Sequence, residues 1–383
     1  MLTYFITFFI SFFWCRCGEH FGKKGKKVLS IFCYAISVFA VSIIAGLRDY
    51  TIGTDISTYG HWLFLNAKEK LGVINFVKSH QEIDVLYSCF VYIIAQIFTY
   101  EHWLYFFTGL WIYGFTLAGI KKYEKYASVS WIWVCYLFLL YGDTLNAMRQ
   151  CMAMALCIWA FQYVLERKYV KYVFCILIAC LFHITAIVYM GIFVVYELIK
   201  RKNSLVIKGS LLLGLSIVLF SYNKVLLLLI KLGFFNEKFE RYLTVNVKWT
   251  SVNPILIRIP FLFLILLFYH IFLEKINIQK EKEKNNIIKS QEVFGSFLLI
   301  MAIIEIMTAE MRSVNVTLYR ISLYFCMFRC IAIGRVVNVV NRNNKKIIKI
   351  VIIALLIVIW IYQNVVQRNN EIYPYKSIIL NIR

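Results

Sequence analysis

Long apolar runs recur from one end of this chain to the other, separated by short polar segments that carry most of the lysines and arginines. A helix needs roughly 20 apolar residues to cross the hydrocarbon core of a bilayer, and many of these runs approach that length. Of the 383 residues, 61% are hydrophobic and 16% are charged, whereas soluble domains have about 45–50% and about 25%. We therefore predict an all-α, polytopic integral membrane protein with about 10–12 transmembrane helices, organised as one transmembrane domain over residues 1–383.

The polar segments between these runs are too short to form a folded domain of their own. The longest cover residues 48–82, 221–254 and 274–292. We predict an outer loop for the first segment and a cytoplasmic basic loop for the third. The second is predicted as an outer loop with an amphipathic helix over residues 222–244 that lies on the membrane surface.

The distribution of basic residues sets the orientation of the chain. A net charge of +22 is compatible with nucleic-acid binding, but the lysines and arginines lie in short clusters between apolar runs rather than on one amphipathic face. The positive-inside rule explains these clusters as cytoplasmic, and no nucleic-acid partner is predicted. The first cluster, Arg16 to Lys27, follows an apolar run over Leu2–Trp14. The amino terminus is therefore predicted outside, as is the polar segment that follows a second span over residues 28–47.

Two stretches do not alternate simply between the two sides of the membrane. Residues 172–199 hold one long apolar run between two basic clusters, which favours two short or broken helices that enter and return, with a turn near His183. Irregular backbone at membrane depth is tolerated only where protein or a wet cavity covers it, so His183 is expected to face such a cavity. Residues 83–120 carry two apolar runs broken at Tyr100–His102, although the charge pattern requires an odd number of crossings. One of the two runs is a candidate to lie in the interface.

This topology gathers ionisable side chains in the outer half of the membrane. They are Arg48, Asp55, Arg149, His183 and Arg320. Such residues are costly at membrane depth and by default mark a functional site. Structural alternatives exist for each, since arginines at the ends of spans extend toward the interface and His183 alone suits a hydrogen-bonded core position. Asp55, for its part, suits the cap of a helix that runs from Ile56 toward Lys70.

The combination of side chains points to a particular chemistry. Several guanidinium groups beside a carboxylate and an imidazole suit a diphosphate attached to a sugar, because arginine binds phosphate oxygens bidentately and stays charged. In a partly dry site these charges also stabilise the negative charge that grows on a departing pyrophosphate. Asp55 or His183 is a candidate to accept a proton from an attacking sugar hydroxyl, and the sequence leaves that choice open. Tyr59 is a candidate to stack on a sugar ring.

The cysteines and the familiar short motifs indicate neither a metal nor a cofactor. The 11 cysteines lie mostly in apolar segments without CxxC or Cys/His metal spacing, so they are interpreted as small apolar residues. The chain shows no Walker loop, dinucleotide fingerprint, zinc motif or serine elbow.

Four passages resemble the EpsG family of bacterial exopolysaccharide polymerases, a branch of the Wzy-type polymerases. They are AGLRDYTIGTDISTY at residues 45–59, NAMRQCMAMAL at 146–156 with LERKYVKYVFCILIACLFHITAIVYM at 165–190, YRISLYF at 319–325, and YPYK at 373–376. The positions that match the family's polar motifs are Arg48, Asp55, Arg149, Gln150, His183 and Arg320. Asp49 and the sequence Ile184-Thr185-Ala186 after the histidine depart mildly from the pattern.

The resemblance implies a multi-pass glycosyltransferase of the bacterial plasma membrane. It would join oligosaccharide repeat units carried on undecaprenyl diphosphate into an exopolysaccharide, capsule or O-antigen chain at the outer face. Asp55, His183 and Arg149 would be catalytic. The groups that bind the diphosphate and the glycan would be Arg48, Gln150, Arg320 and Tyr59. The lipid bilayer, a flippase and a chain-length regulator of the same pathway are the expected partners.

Two other functions compete with polymerisation. A flippase for the same lipid-linked units would use its arginines to hold the diphosphate during passage, and it should carry polar residues through the full depth of several spans. A membrane ligase would transfer the glycan to a different lipid or protein acceptor. The outward clustering of polar residues favours the polymerase over the flippase.

Overall fold

The structure, a computed structural model, describes residues 1–69, 72–232, 253–280, 286–310, 312, 316–340 and 343–382. The first helices in chain order are α1 (Leu2–Lys23), α2 (Lys27–Gly46), α3 (His61–Ala67), α4 (Val73–Ser79), α5 (Val85–Ile97), α6 (His102–Lys121), α7 (Val129–Asn146), α8 (Met148–Ala160) and α9 (Gln162–Leu165). They are followed by α10 (Tyr169–Phe182), α11 (Val188–Arg201), α12 (Leu205–Phe220), α13 (Tyr222–Lys231), α14 (Asn253–Lys280), α15 (Asn286–Glu310), α16 (Val316–Val339) and α17 (Lys345–Ile361).

The predicted class of fold is confirmed. Among the described residues, five helices are long and apolar enough to cross a membrane, namely α2, α6, α15, α16 and the helix that begins with α17. Four further apolar helices are shorter. The chain is thus an all-α, multi-pass membrane protein. The total of about 10–12 passes and the side that each loop faces remain predictions.

Helix packing divides the chain into two compact units, a division that the sequence pattern did not indicate. One unit comprises residues 1–190 together with 342–383, and the other comprises residues 191–341. Chain order therefore does not match packing order, because α17 and the residues after it pack with the amino-terminal half.

Helix α7 forms the centre of the first unit. It is buried along nearly its whole length, as expected of a helix that is apolar on every face. Polar side chains tie it to its neighbours, with Trp133 Nε1 donating to Ser11 Oγ at 2.8 Å and Ser11 Oγ donating to the Ser37 carbonyl at 2.8 Å. Hydrogen bonds of this kind hold helices together where lipid removes the hydrophobic drive for association.

The basic end of α1 is anchored on the start of α7. Helix α1 runs to Lys23, past Trp14 where the first span was predicted to end. In this extension Glu19 accepts hydrogen bonds from the Ser130 backbone N–H at 3.1 Å and from Lys23 Nζ at 2.8 Å. Burial alone would raise the pKa of Glu19, but hydrogen bonds from Lys23 and Ser130 lower it to about 2. The carboxylate stays ionised and complements the positive end of α7.

Helix lengths account for the two apolar runs in residues 83–120. Helix α5 has 13 residues, so it rises only about 20 Å, less than the roughly 30 Å of hydrocarbon in a bilayer. Helix α6 has 20 residues and is long enough to cross. The odd number of crossings that the charge pattern requires is met if α6 crosses and α5 does not.

The helical break predicted near His183 is present. Helix α10 ends at Phe182, His183 is extended with φ −163°, and a short 3₁₀ turn over Ile184–Ile187 leads into α11. The Tyr172 hydroxyl donates to the Tyr189 carbonyl at 2.6 Å across 17 residues, which a continuous helix would separate by about 25 Å. The chain therefore folds back here, and the His183 side chain is half-buried.

Two of the three polar segments contain more helix than the sequence pattern indicated. Residues 48–82 include α3 and α4. Helices α14 and α15 extend into the predicted loop at 274–292 from both sides, because its lysines, glutamates and glutamines are good helix formers. Of the amphipathic helix predicted over 222–244, the structure describes α13, and residues 233–252 lie outside the described part.

Candidate functional site

Arg48 follows the end of α2 and lies almost fully inside the first unit. Its side chain is 2% exposed. It therefore does not extend toward the membrane interface, which was the alternative to a functional role. The guanidinium carbon lies 5.1 Å from the centre of the Tyr105 ring, and Nη2 donates to Met148 Sδ at 3.3 Å. The Nε–H has no hydrogen-bond partner among the described residues. A buried cation without a carboxylate is costly unless something else, such as a bound anion, balances its charge.

Asp55 connects the polar segment after α2 to the first turn of α8. Its Oδ2 accepts the backbone N–H of Met148 at 2.9 Å and the hydroxyl of Tyr59. A carboxylate is favourable at a helix amino terminus because the free N–H groups there carry partial positive charge. The alternative to a catalytic role was that Asp55 caps a helix starting at Ile56. Its side chain makes no capping hydrogen bond to that helical turn, and it caps α8 instead.

Arg149, the second residue of α8, pairs with a carboxylate that is not among the predicted site residues, Asp84. Its Nη1 lies 2.8 Å from Asp84 Oδ2, and both side chains are about one-fifth to one-quarter exposed. Burial raises the pKa of Asp84, and the positive charge of Arg149 opposes that rise. Asp84 stands at the last polar position before α5, so an acidic residue at the boundary of an apolar run was the available signal.

Tyr59 lies between these groups. The Arg149 guanidinium sits 4.6 Å above its ring, the Tyr87 ring meets it edge-on at 5.8 Å, and the residue is 4% exposed. Burial raises the pKa of Tyr59, and the negative charge of Asp55 raises it further. Tyr59 therefore supports Arg149 from beneath in this structure, while its predicted stacking on a sugar ring stays a prediction. The buried Tyr87 hydroxyl has no hydrogen-bond partner among the described residues.

The turn before Asp55 requires glycine. Gly53 has φ +86°, and a Cβ added there would lie 2.3 Å from the Leu145 carbonyl oxygen. We expect Gly53→Ala to displace the Asp55 segment from α8 and to lower the activity that the resemblance implies, polymer formation, by at least about tenfold, since backbone strain and a backbone collision act together. Gly72→Ala is the matched control, because φ is negative there and no described residue other than its chain neighbours has an atom within 4 Å of the added Cβ. Equal polymer yield from the two variants, measured at equal protein level, would contradict this role for Gly53.

The carboxyl-terminal tail, which comprises the residues from Asn370 onward, holds the backbone around Arg48 in place. Asp49 donates its backbone N–H to the Lys376 carbonyl at 2.9 Å, Ser377 Oγ donates to the Leu47 carbonyl at 2.5 Å, and the Tyr375 hydroxyl donates to the Ile44 carbonyl at 3.0 Å. These contacts give the YPYK passage a structural role. They fix the backbone on both sides of Arg48.

The same tail reaches the turn between α7 and α8. Asn146 Nδ2 donates to Asn370 Oδ1 at 3.2 Å, while Asn146 Oδ1 accepts the backbone N–H of Thr54 at 3.0 Å. One asparagine therefore joins the tail to the segment that carries Asp55. Hydrogen bonds therefore join three parts of the chain: the segment from Arg48 to Asp55, the turn between α7 and α8, and the tail.

Gln150 and His183 also belong to the first unit. Gln150 is 2% exposed on the first turn of α8. The Phe182 ring, next to His183, lies 5.0 Å from the ring of Trp111, and Trp111 Nε1 donates to the Met152 carbonyl at 3.3 Å. Trp111 thus contacts both the end of α10 and the second turn of α8.

Arg320 is the predicted site residue that lies in the other unit. It is half-buried on α16. Its predicted approach to the other six residues stays a prediction. Direct contacts within the first unit bring together Arg48, Asp55, Tyr59 and Arg149, with Met148 touching both Arg48 and Asp55.

The second unit contains a buried charge cluster that the sequence analysis did not identify. Arg258 Nε donates to Glu305 Oε1 at 2.9 Å, and Arg329 Nε lies 3.0 Å from Glu305 Oε2. All three side chains are at most 5% exposed. Each interrupts an apolar run, which was the available signal. Glu305 thus pairs with two buried arginines.

This fold and this site define a class: a multi-pass, all-α membrane protein with buried guanidinium groups in both of its compact units. The chain matches the model of the EpsG family over residues 31–377 and belongs to that family. Family membership supports a role as a polysaccharide polymerase, a polymerase-type glycosyltransferase. Comparison with curated proteins and with solved structures found no match to the chain.

Proposed function

We propose that this protein polymerises oligosaccharide repeat units carried on undecaprenyl diphosphate, at the outer face of the plasma membrane. The observation that carries the proposal is the buried Arg48 guanidinium, which has no carboxylate partner among the described residues. A diphosphate supplies the missing negative charge and accepts the free N–H. The bilayer supplies the lipid-linked substrate, and a flippase and a chain-length regulator are the proposed protein partners.

In the proposed reaction the sugar hydroxyl of one lipid-linked unit attacks the anomeric carbon of another. A new glycosidic C–O bond forms, the bond between that carbon and the diphosphate oxygen breaks, and the hydroxyl proton passes to a base. Polyprenyl diphosphate departs with both electrons of the broken bond. Arg48 and Arg149 stabilise the charge that grows on it, as fixed cations do in a dry site.

The remaining residues divide into positioning groups and candidate bases. Asp55 holds Tyr59 and the first turn of α8, so its first contribution is to set the position of Arg149. Asp55 and His183 remain the two candidate bases. Gln150 and Arg320 are proposed to bind the glycan or a second diphosphate.

The test is to give purified protein, reconstituted in vesicles, lipid-linked repeat units and no other acceptor. A ladder of polymer lengths is expected. Translocation of the units without ladders would instead establish a flippase, and reaction only after another acceptor is added would establish a ligase. Arg149→Ala protein in the same vesicles controls for contaminating activity.

A flippase is the second candidate, because charged groups do lie within the helices of the second unit. Arg258, Glu305 and Arg329 are buried on α14, α15 and α16. Charges inside apolar helices are the feature expected of a transport path. The vesicle experiment separates this function from polymerisation.

A further inference from the structure

A histidine and a carboxylate form a pair in the first unit, and neither is among the predicted site residues. The Nδ1 atom of His61, the first residue of α3, lies 2.5 Å from Glu101 Oε2. Glu101 immediately precedes α6, where the free N–H groups at the start of a helix favour a negative charge. The two residues are 40 positions apart in the chain, so only the fold brings them together.

The pair determines which nitrogen of the His61 ring can take up a proton. An ionised carboxylate only accepts hydrogen bonds, so the neutral imidazole carries its proton on Nδ1 and keeps the lone pair on Nε2. The Tyr50 ring meets the imidazole edge-on at 5.0 Å. The His61 side chain is 38% exposed, so it is accessible to a substrate hydroxyl. A base that a carboxylate holds in one orientation is the arrangement that general-base catalysis requires.

Tyr105 connects this pair to Arg48. Its hydroxyl donates to Glu101 Oε2 at 3.1 Å, and its ring lies under the Arg48 guanidinium, whose carbon is 5.1 Å from the ring centre. Only Glu101 and Tyr105 therefore separate the imidazole from the buried cation along this chain of contacts. In a glycosyl transfer the attacking hydroxyl and the leaving diphosphate are bonded to one anomeric carbon, so a base and a cation are needed at neighbouring but distinct places.

We propose that His61 is the general base of the polymerisation reaction and that Glu101 is its positioning residue. This rests on the proposed function and adds a third candidate base to Asp55 and His183. Nε2 takes the proton of the attacking hydroxyl while the hydroxyl oxygen bonds to the anomeric carbon. The bond from that carbon to the diphosphate oxygen breaks, and its electron pair leaves with polyprenyl diphosphate. Glu101 stabilises the imidazolium that forms, which then releases the proton to water.

Asp55 is less suited to this task because its hydrogen bonds hold other parts of the site. Its Oδ2 accepts both the hydroxyl of Tyr59 and the backbone N–H of Met148, and the residue is 8% exposed. A proton delivered to this carboxylate would weaken the contacts that position Arg149. At His61 the imidazole takes the proton, and the carboxylate beside it stays ionised.

Chemical rescue in the vesicle assay tests the proposal on the full chain. His61→Gly is expected to slow polymer formation at least about 10²-fold, a usual contribution of a general base. Imidazole added to the buffer should raise the rate of this variant several-fold, because the side chain that it replaces is accessible. A merely structural role of His61 would not respond to imidazole. Rates are normalised to inserted protein.

Two further variants control this measurement. His20→Gly makes the same change at an exposed position in the last turn of α1, and it should give wild-type ladders with or without imidazole. Glu101→Gln keeps the size of the side chain and removes its charge. It should lower the maximal rate and leave the half-saturating concentration of lipid-linked units nearly unchanged, because the charge acts when the imidazolium forms. If His61→Gly does not insert into the membrane, Glu101→Gln provides the test.

The base and the polymerase fail by different results. Wild-type ladders from His61→Gly, or a slow His61→Gly protein that imidazole does not accelerate, would overturn the role of His61 and leave the polymerase. Loss of ladders in His183→Gln beside a fully active His61→Gly would assign the base to His183. Wild-type protein that forms no ladders would remove the polymerase, and this proposal with it.

Discussion

Replacing Arg48 or Arg149 by alanine is expected to abolish polymer formation while protein level and membrane insertion persist. Each change removes a fixed cation from the place where the diphosphate develops charge, and loss of one such preorganised group commonly costs about 10²–10³ in rate. For Arg149 the change also leaves Asp84 without its ion pair. The measurement is polymer length and amount, both in cells and in the vesicle assay, normalised to inserted protein.

Stability measurements distinguish a functional arginine from a structural one. Arg48 has no carboxylate partner among the described residues, so Arg48→Met, which keeps the bulk and removes the charge, should melt at or above the wild-type temperature while losing activity. Arg149→Lys keeps the charge but loses the planar fork, so partial activity is expected. Arg167→Ala, at an exposed position, should match the wild type in both measurements. Wild-type chain lengths from Arg48→Ala or Arg149→Ala would disprove the site.

Of the substitutions proposed here, Glu305→Gln is expected to cause the largest decrease in the free energy of unfolding. The change removes the carboxylate that pairs with both Arg258 and Arg329, and removing one partner of a buried ion pair costs about 3–5 kcal/mol in the free energy of unfolding. The amide is nearly the same size as the carboxylate, so packing is unchanged and the loss reports charge. Thermal or denaturant unfolding of purified protein in detergent measures it.

Two controls separate charge balance from general sensitivity. Arg329→Met leaves Arg258 and Glu305 as an equal pair, so its loss of stability should be clearly smaller than that of Glu305→Gln. Glu166→Gln breaks an exposed pair with Lys168, and surface pairs contribute only about 0–1 kcal/mol. If Glu305→Gln unfolds at the same temperature or denaturant concentration as the wild type, the cluster has no role in stability.

Features that depend on local sequence were predicted well. The second span was predicted over residues 28–47, and α2 covers Lys27–Gly46, because the length of an apolar run is a property of the run itself. The break at His183 was predicted from the basic clusters on either side of one long apolar run. Because both clusters are predicted to be cytoplasmic, the run between them must return to the side that it left. The end of α1 was not predicted. The apolar span ends at Trp14 but the helix continues to Lys23, because basic residues stop a segment from lying in the membrane without disfavouring helix.

The candidate site was predicted in its members but not in its connections. Arg48, Asp55 and Arg149 were selected because charges are rare near spans. Which groups pair with each other could not be predicted in the same way. Arg149 pairs with Asp84 across 65 residues, and Asp55 bonds to the Met148 N–H across 93, so neither pair leaves a local pattern.

The sequence by itself determined that this chain enters the membrane many times and that it carries arginines, a carboxylate and an imidazole where few charges are tolerated. Hydropathy and charge are carried by each residue alone, so they can be read along the chain. The tertiary structure decided that Asp55 caps α8, that the tail from Asn370 to Ser377 holds the Arg48 segment, and that Glu305 pairs with two buried arginines. These outcomes depend on which groups face each other after the helices pack, because a buried donor or charge is stabilised only by a partner within a few ångströms.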